Sequence, residues 1–211
     1  MDIALWRDKL VYQGVSLGLV AMLCAAALVL GKHLTHEGIA KAEADDLAAS
    51  LAQVLPAESS DNDLLNDTVK IGAGKTARGA GADDMTPITV YRARKAGRIT
   101  GAVFRMAARG YAGDVVVLMG VDIEGRLLGA RVVKHAETPG LGDKIDIAKS
   151  KWILAFDGKS LGDPPAEKWA VKKDGGVFDQ FTGATITPRA VVKAVKSGLE
   201  FFALHREEIL Q

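Results

Sequence analysis

The sequence predicts an α+β protein: one N-terminal transmembrane helix followed by a compact domain, with an antiparallel sheet of hairpins and flanking helices. Three observations predict it. An uncharged apolar run fills Leu10–Gly31. From Ile88 to His135 the residues alternate in the β manner and are broken by short glycine turns. After Thr187 the apolar residues recur at helical spacing. The resulting division is a short tail over 1–9, a transmembrane helix over 10–31, a juxtamembrane helix and loop over 32–85, and a folded domain over 86–211.

The run LVYQGVSLGLVAMLCAAALVLG lies uncharged between Lys9 and Lys32. A helix of this length crosses a hydrocarbon core about 30 Å thick. A cleavable signal peptide would carry an apolar region of about 7–15 residues with a small-residue cleavage site beyond it. Ala25-Ala26-Ala27 instead sits inside the run, so an uncleaved anchor is expected. A lipoprotein reading fails because Leu23 precedes Cys24, where a small residue is needed. Cys24 is the only cysteine, which excludes an intramolecular disulfide and a cysteine-ligated zinc. Arg7 and Lys9 on one flank balance Lys32 and Lys41 on the other, so charge counting assigns no orientation. The tail is too short for a domain, and the rest of the chain lies on one side of a single span.

Beyond the anchor, Ile39, Leu47, Leu51, Val54 and Leu55 recur at helical spacing and Pro56 closes the segment. This predicts a juxtamembrane helix packed on the domain. SSDNDLLND reads as turn-rich and IGAGKTARGAG as a glycine-rich loop. Gly74-Lys75-Thr76 is not a phosphate loop, because Val69 stands where that motif needs its first glycine and no long helix follows. With Lys+Arg 27 against Asp+Glu 26 and no basic stripe, the chain is not a nucleic-acid binder by electrostatics.

ITVYRARKAGRITGAVFRMA predicts a hairpin turning near Ala96-Gly97, and DVVVLMGVDIEGRLLGARVVKH a second turning near Glu124-Gly125. GRITGA (97–102) and GRLLGA (125–130) share one phrase 28 residues apart. Either a hairpin was duplicated or two similar hairpins need the same chemistry. A single pair makes no solenoid, and a compact antiparallel sheet is expected.

Between the hairpins, in RGYAGD, Gly110 and Gly113 bracket Tyr111, which reads as a turn with an aromatic plug. The second hairpin empties into HAETPGLGDKI. Pro139-Gly140 followed by Leu141-Gly142 cannot continue a strand. Such a run is either a surface turn or a loop that aims several N–H groups at one ligand, with Glu137 and Thr138 adding side-chain hydrogen bonds. His135 and Glu137 share one strand face but lack the further ligands of a metal site, so no metal is expected.

DIAKSKWILAF (146–156) predicts a helix with Ile147, Trp152 and Phe156 inward, and LGDPPAEKWAVKKDGG a loop leading to a short strand. Thr187-Pro188 has the form of a helix start, with a threonine cap and proline at the first helical position. Val191, Val192, Val195, Leu199 and Phe202 supply that helix with an apolar face. A cap explains Thr187 but leaves Thr182 and Thr185 unexplained. A helix N-terminus offers free N–H groups and a positive dipole end to a phosphate. Thr185 lies just outside it, on a loop loosened by Gly183-Ala184, so a phosphate esterified there would be retained. Threonine with no base beside it would need a separate enzyme to make that bond.

Asp179-x-x-Thr182-Gly183-Ala184-Thr185 resembles the Asp-x-x-(Ser/Thr)-Gly-Ala-Thr target of the bacterial flavin transferase. GYAGD, HAETPGLGDKI and KKDGGVFDQFTGATITPRAVV stand in the order found in membrane-anchored FMN-binding subunits. The pattern is similar to the G subunit of the Rnf electron-transport complex and more distantly to the C subunit of the sodium-translocating NADH:quinone reductase. It covers the anchor and most of Tyr91–Leu204 and is weak over 35–85.

The resemblance implies covalent FMN on Thr185 through a phosphoester, with Asp179, Thr182, Gly183, Ala184 and Thr185 read by the flavin transferase. It implies Glu137, Thr138, Gly140, Leu141 and Gly142 around the isoalloxazine, with Gly110 and Tyr111 beside them and Thr182, Gly183 and Ala184 at the attachment loop. No catalytic dyad or triad is expected, since the flavin carries the electrons. A single-pass bacterial inner-membrane protein with its domain on the periplasmic side follows, acting as a one-electron relay among the other Rnf membrane subunits. The same cofactor in a quinone reductase, and a non-redox anchored module whose ETPGLG loop binds a partner, are the alternative readings.

Overall fold

The computed structural model describes residues 10–56, 58–72 and 87–211. The Gly74-Lys75-Thr76 stretch falls outside them. The chain divides into two compact units, Met1–Asp46 and Leu47–Gln211.

Helix α1 covers Leu10–Ala52. Within it Tyr12–His36 is long and apolar enough to cross a membrane, and none of that window is buried in protein. The helix does not break after Gly31, so the separate juxtamembrane helix expected from the sequence is a continuation of the first. The reason is local: no proline follows Gly31 before Pro56, and the intervening Ala, Leu, Lys and Glu residues are good helix formers. The expected packing face also shortens. Ile39 is exposed, whereas Leu51, Val54 and Leu55 are buried and Leu47 packs against them. The last two buried residues lie in the turn after Ala52, ahead of Pro56.

The second unit is built on a five-stranded antiparallel meander in chain order: β1 (Thr68–Ile71), β2 (Ile88–Lys95), β3 (Arg98–Arg109), β4 (Asp114–Asp122) and β5 (Leu127–Lys134). Both expected hairpins are present. Ala96 and Gly97 both have positive φ, the twist-matched form of a two-residue turn, and Gly125 has φ +87°. The shared GR-x-x-GA phrase thus begins at a turn glycine in each hairpin. Strand β1 was not expected. It pairs Thr68 with Tyr91 and Ile71 with Ile88, within the unit that runs from Leu47 to Gln211.

Alternation along the strands gives the sheet two buried faces. Phe104, Met106, Val117 and Met119 join α2 (Ile186–Leu204), whose Val191, Val195, Leu199 and Phe202 are buried; α3 (Arg206–Ile209) adds Ile209. Val103 and Leu118 point to the other face, into Leu51, Val54 and Leu55. Each such side chain contributes about 1.5–3 kcal/mol by leaving water. The second contact is close because Gly120 pairs with Gly129 in register. A Cβ on Gly120 would stand 2.4 Å from the Val54 carbonyl oxygen.

The expected helix over 146–156 is not an α-helix. Tight 3₁₀ turns form at Asp143–Ile145 and Lys151–Phe156. Ser150, extended at φ −159°, accepts a hydrogen bond from the Trp152 N–H and resets the chain. Ile153 and Phe156 turn inward while Ile147 stays at the surface. The loop after it likewise holds 3₁₀ turns at Ala166–Lys168 and Lys172–Asp174, and an isolated Val171–Phe178 bridge replaces the expected strand. Phe156 stacks on Phe178 at 4.3 Å and Trp152 meets Phe181 edge-on at 5.2 Å. The Trp152 Nε1–H donates to the Asp179 carbonyl at 2.8 Å, which ties this loop to the core.

Candidate functional site

Three loops meet at one end of the sheet. The first leaves β3 at Arg109 and reverses within Gly110–Gly113, where the Gly110 N–H donates to the Gly113 carbonyl at 2.8 Å. The second leaves β5 and turns at Thr138–Leu141, with Pro139 and then Gly140 (φ +79°) at its centre. The Leu141 N–H closes it on the Thr138 carbonyl at 3.2 Å. In the third, the Ala184 N–H donates to the Phe181 carbonyl at 3.2 Å across Thr182-Gly183, with Gly183 at φ +83°. Gly183 therefore tightens the loop that was expected to be loosened by it.

Glu137 joins the loops. It is 5% exposed. Its Oε1 accepts from the N–H groups of Tyr111 at 2.9 Å and Ala112 at 3.2 Å, and its Oε2 accepts from the Thr187 hydroxyl at 2.5 Å. A carboxylate only accepts, and here three donors converge on it. The glycines around it leave no room for a side chain. A Cβ on Gly110 would lie 2.4 Å from Glu137 Oε1, and one on Gly142 would lie 2.8 Å from Thr187 Oγ1. The N–H of Glu137 donates to the His135 side chain two residues back, at Nδ1, at 3.2 Å.

The helix start differs from expectation. Thr185, not Thr187, holds the N-cap position of α2, with φ −73° and ψ −28°, and its side chain makes no capping hydrogen bond. Thr187 is 1% exposed and gives its hydroxyl to Glu137. A buried carboxylate is a stronger acceptor than a capping contact can offset, and it draws Thr187 inward. Pro188 follows within the first turn, where no helical N–H partner is lost.

Between the loops lies a cleft of about 630 Å³. Eight residues anticipated from the sequence line it: Tyr111, Glu137, Thr138, Leu141, Gly142, Gly183, Ala184 and Thr185. Gly110, Gly140 and Thr182 shape its turns without lining it. Asp179 does not line it and pairs with Lys172 at 2.6 Å. Tyr111 is 70% exposed, so it stands at the rim and does not plug its turn.

Lys173, Ile186 and Thr187 also line the cleft, unanticipated. The KKDGG phrase was the only signal for Lys173. Its turn is held to α2 by a fork in which Arg189 Nε and Nη2 donate to the two Asp174 oxygens, each at 2.6 Å. That hydrogen-bonded pairing holds the Asp174 carboxyl below its ordinary range.

Residues 110–200, which contain all three loops, match the FMN-binding domain family. The chain is 50% identical over 198 residues to the G subunit of the ion-translocating oxidoreductase complex of Stutzerimonas stutzeri, covering 94% of this chain and 83% of that protein. It is 47% identical over 205 residues to the corresponding G subunit of Cereibacter sphaeroides, covering 97% and 90%. The crystal structure of Shewanella oneidensis NqrC shares the fold, with a TM-score of 0.51 and 21% identity over 74% of this chain and 71% of that one. The chain belongs to the family of G subunits of the ion-translocating oxidoreductase complexes.

Proposed function

We propose that this chain carries FMN covalently, through a phosphoester to Thr185, and relays electrons one at a time within a membrane-bound ion-translocating ferredoxin:NAD oxidoreductase complex. The observation that carries the reading is Thr185 itself. Its hydroxyl is not spent on capping, it lines a cleft of about 630 Å³, and it ends the Asp179-x-x-Thr182-Gly183-Ala184-Thr185 phrase. That volume suits a nucleotide-sized cofactor.

FMN, when bound, supplies the electron-carrying chemistry. The residues supply its place. The first N–H groups of α2 lie next to Thr185 and favour a phosphate there. Tyr111, Leu141 and Ile186 offer exposed apolar surface to a ring, at 70%, 46% and 46% exposure. Thr138, Gly142, Gly183 and Ala184 complete the walls, while Gly110, Gly140 and Thr182 set the turns that carry them. Glu137 has three donors on its two oxygens, so its part is to fix the walls relative to one another.

A flavin transferase would make the ester, reading the exposed Asp179–Thr185 stretch. The helix over Tyr12–His36 would anchor the chain in the bacterial inner membrane with the folded unit on the periplasmic side, beside the other members of the complex. The 50% identity to a G subunit over 94% of the chain supports this complex over a quinone reductase. Replacing Thr185 by alanine tests the attachment: the variant is expected to fold as the parent does and to be colourless once denatured and washed. Flavin persisting in that denatured variant would overturn it.

A further inference from the structure

Lys173 is the only cationic side chain among the described residues lining the cleft. The cations around it are committed elsewhere. Lys172 pairs with Asp179, Arg189 forks onto Asp174, and the Lys168 ammonium donates to the Gly175 carbonyl at 3.1 Å. Among the described residues Lys173 forms no ion pair within 4.0 Å: its backbone N–H donates to Gln180 Oε1 at 3.2 Å, and its charge acts on the neighbouring Asp174 carboxylate, which Arg189 already pairs.

Its backbone is fixed nonetheless. Lys172–Asp174 is one 3₁₀ turn, and the Asp174–Arg189 fork fastens that turn to the first turn of α2. Lys173 thus lines, from a fixed turn, a cleft that also contains Thr185 and the start of α2. The two Glu137 oxygens are taken by protein donors, which leaves Lys173 as the charge available to a ligand.

We propose that Lys173 is the cation of a phosphate subsite in this cleft, binding the phosphate of the flavin nucleotide at Thr185. The proposal rests on the FMN reading above and adds what distinguishes a phosphorylated flavin from a bare one. A phosphate is permanently charged, and an ammonium on a flexible stem meets it as a point charge. The apolar rim of Tyr111, Leu141 and Ile186 serves the uncharged ring, which needs no cation.

The test uses the full chain in lipid nanodiscs, produced without a flavin transferase so that Thr185 is unmodified. FMN and riboflavin are titrated separately by flavin fluorescence. The unaltered chain is expected to bind FMN about tenfold more tightly than riboflavin, the order of one charge-assisted contact, with the preference shrinking as salt rises. Lys173→Gln is expected to bind both flavins alike at the riboflavin affinity, and Lys173→Arg to keep the preference.

Lys173→Gln retaining the full FMN preference would overturn the proposal, as would a loss of affinity for both flavins by the same factor. Equal binding of the two flavins by the unaltered chain would overturn it and leave the flavin reading standing. Binding of neither would overturn the proposal as well, and the flavin reading would then stand or fall on the mass found at Thr185. An unchanged unfolding midpoint in Lys173→Gln separates a lost contact from a lost fold.

Discussion

Removing the Glu137 carboxylate strands three donors at once. In Glu137→Ala the Tyr111 and Ala112 N–H groups lose their acceptor, and so does the Thr187 hydroxyl. Leaving one buried donor unpaired costs about 1–3 kcal/mol. The two amides sit beside the exposed Tyr111 and can be rewetted through the cleft, whereas Thr187 at 1% exposure cannot without a rearrangement. The expected loss is therefore about 2–4 kcal/mol, less than three full penalties. Glu137→Gln should lose only about 1 kcal/mol, because its carbonyl still accepts from both amides and its NH₂ can donate to the Thr187 hydroxyl. Thr187→Val should cost about 1–3 kcal/mol by leaving one carboxylate oxygen without a donor. Denaturant unfolding of the full chain in detergent, followed by tryptophan fluorescence, measures all three. Combining Glu137→Ala with Thr187→Val should cost clearly less than the sum of the two, since each removes the same bond. Strict additivity, or a Glu137→Ala protein within about 0.5 kcal/mol of the parent, would refute the brace, since that much is the noise of additivity itself.

Gly120→Val should destabilise the second unit by about 1–3 kcal/mol, because even its Cβ would meet the Val54 carbonyl oxygen at 2.4 Å; a neutral thermal midpoint would contradict the close packing. At Asp67 burial acts to raise the pKa, but hydrogen bonds and charge from Arg94 and Arg92 prevail and hold it below the ordinary 3.8. A carboxylate depressed in the folded state contributes stability above its unfolded pKa and loses it as pH falls through the lower folded value. Acid titration of stability should therefore be shallower in Asp67→Asn below about pH 4, and an unaltered slope would remove Asp67 from the account.

The hairpins were legible because period-two alternation and turn glycines are local signals, complete within some twenty residues. Strand β1 was not, because four residues bounded by turn-forming sequence carry too little alternation, and its pairing with β2 is the only thing that defines it. Ser150 likewise broke an otherwise helical pattern through one side-chain contact. At the site, the glycine-rich loops at strand ends were legible as loops, and eight of the anticipated residues line one cleft. Thr187 was misread because its acceptor lies fifty residues upstream, beyond any window that shows a cap. Thr185 remained unexplained by capping, and the structure leaves its side chain without a cap bond. Lys173 carries no local signal, because what sets it apart is that Lys172 and Arg189 beside it are paired, with Asp179 and Asp174.

Intact-mass measurement of the protein from its native membrane, with peptide mapping across Asp179–Arg189, tests the central claim most directly. The account predicts a mass increase of one FMN less water, located on Thr185. An unmodified peptide from cells containing an active flavin transferase, or the added mass on Thr187, would contradict it.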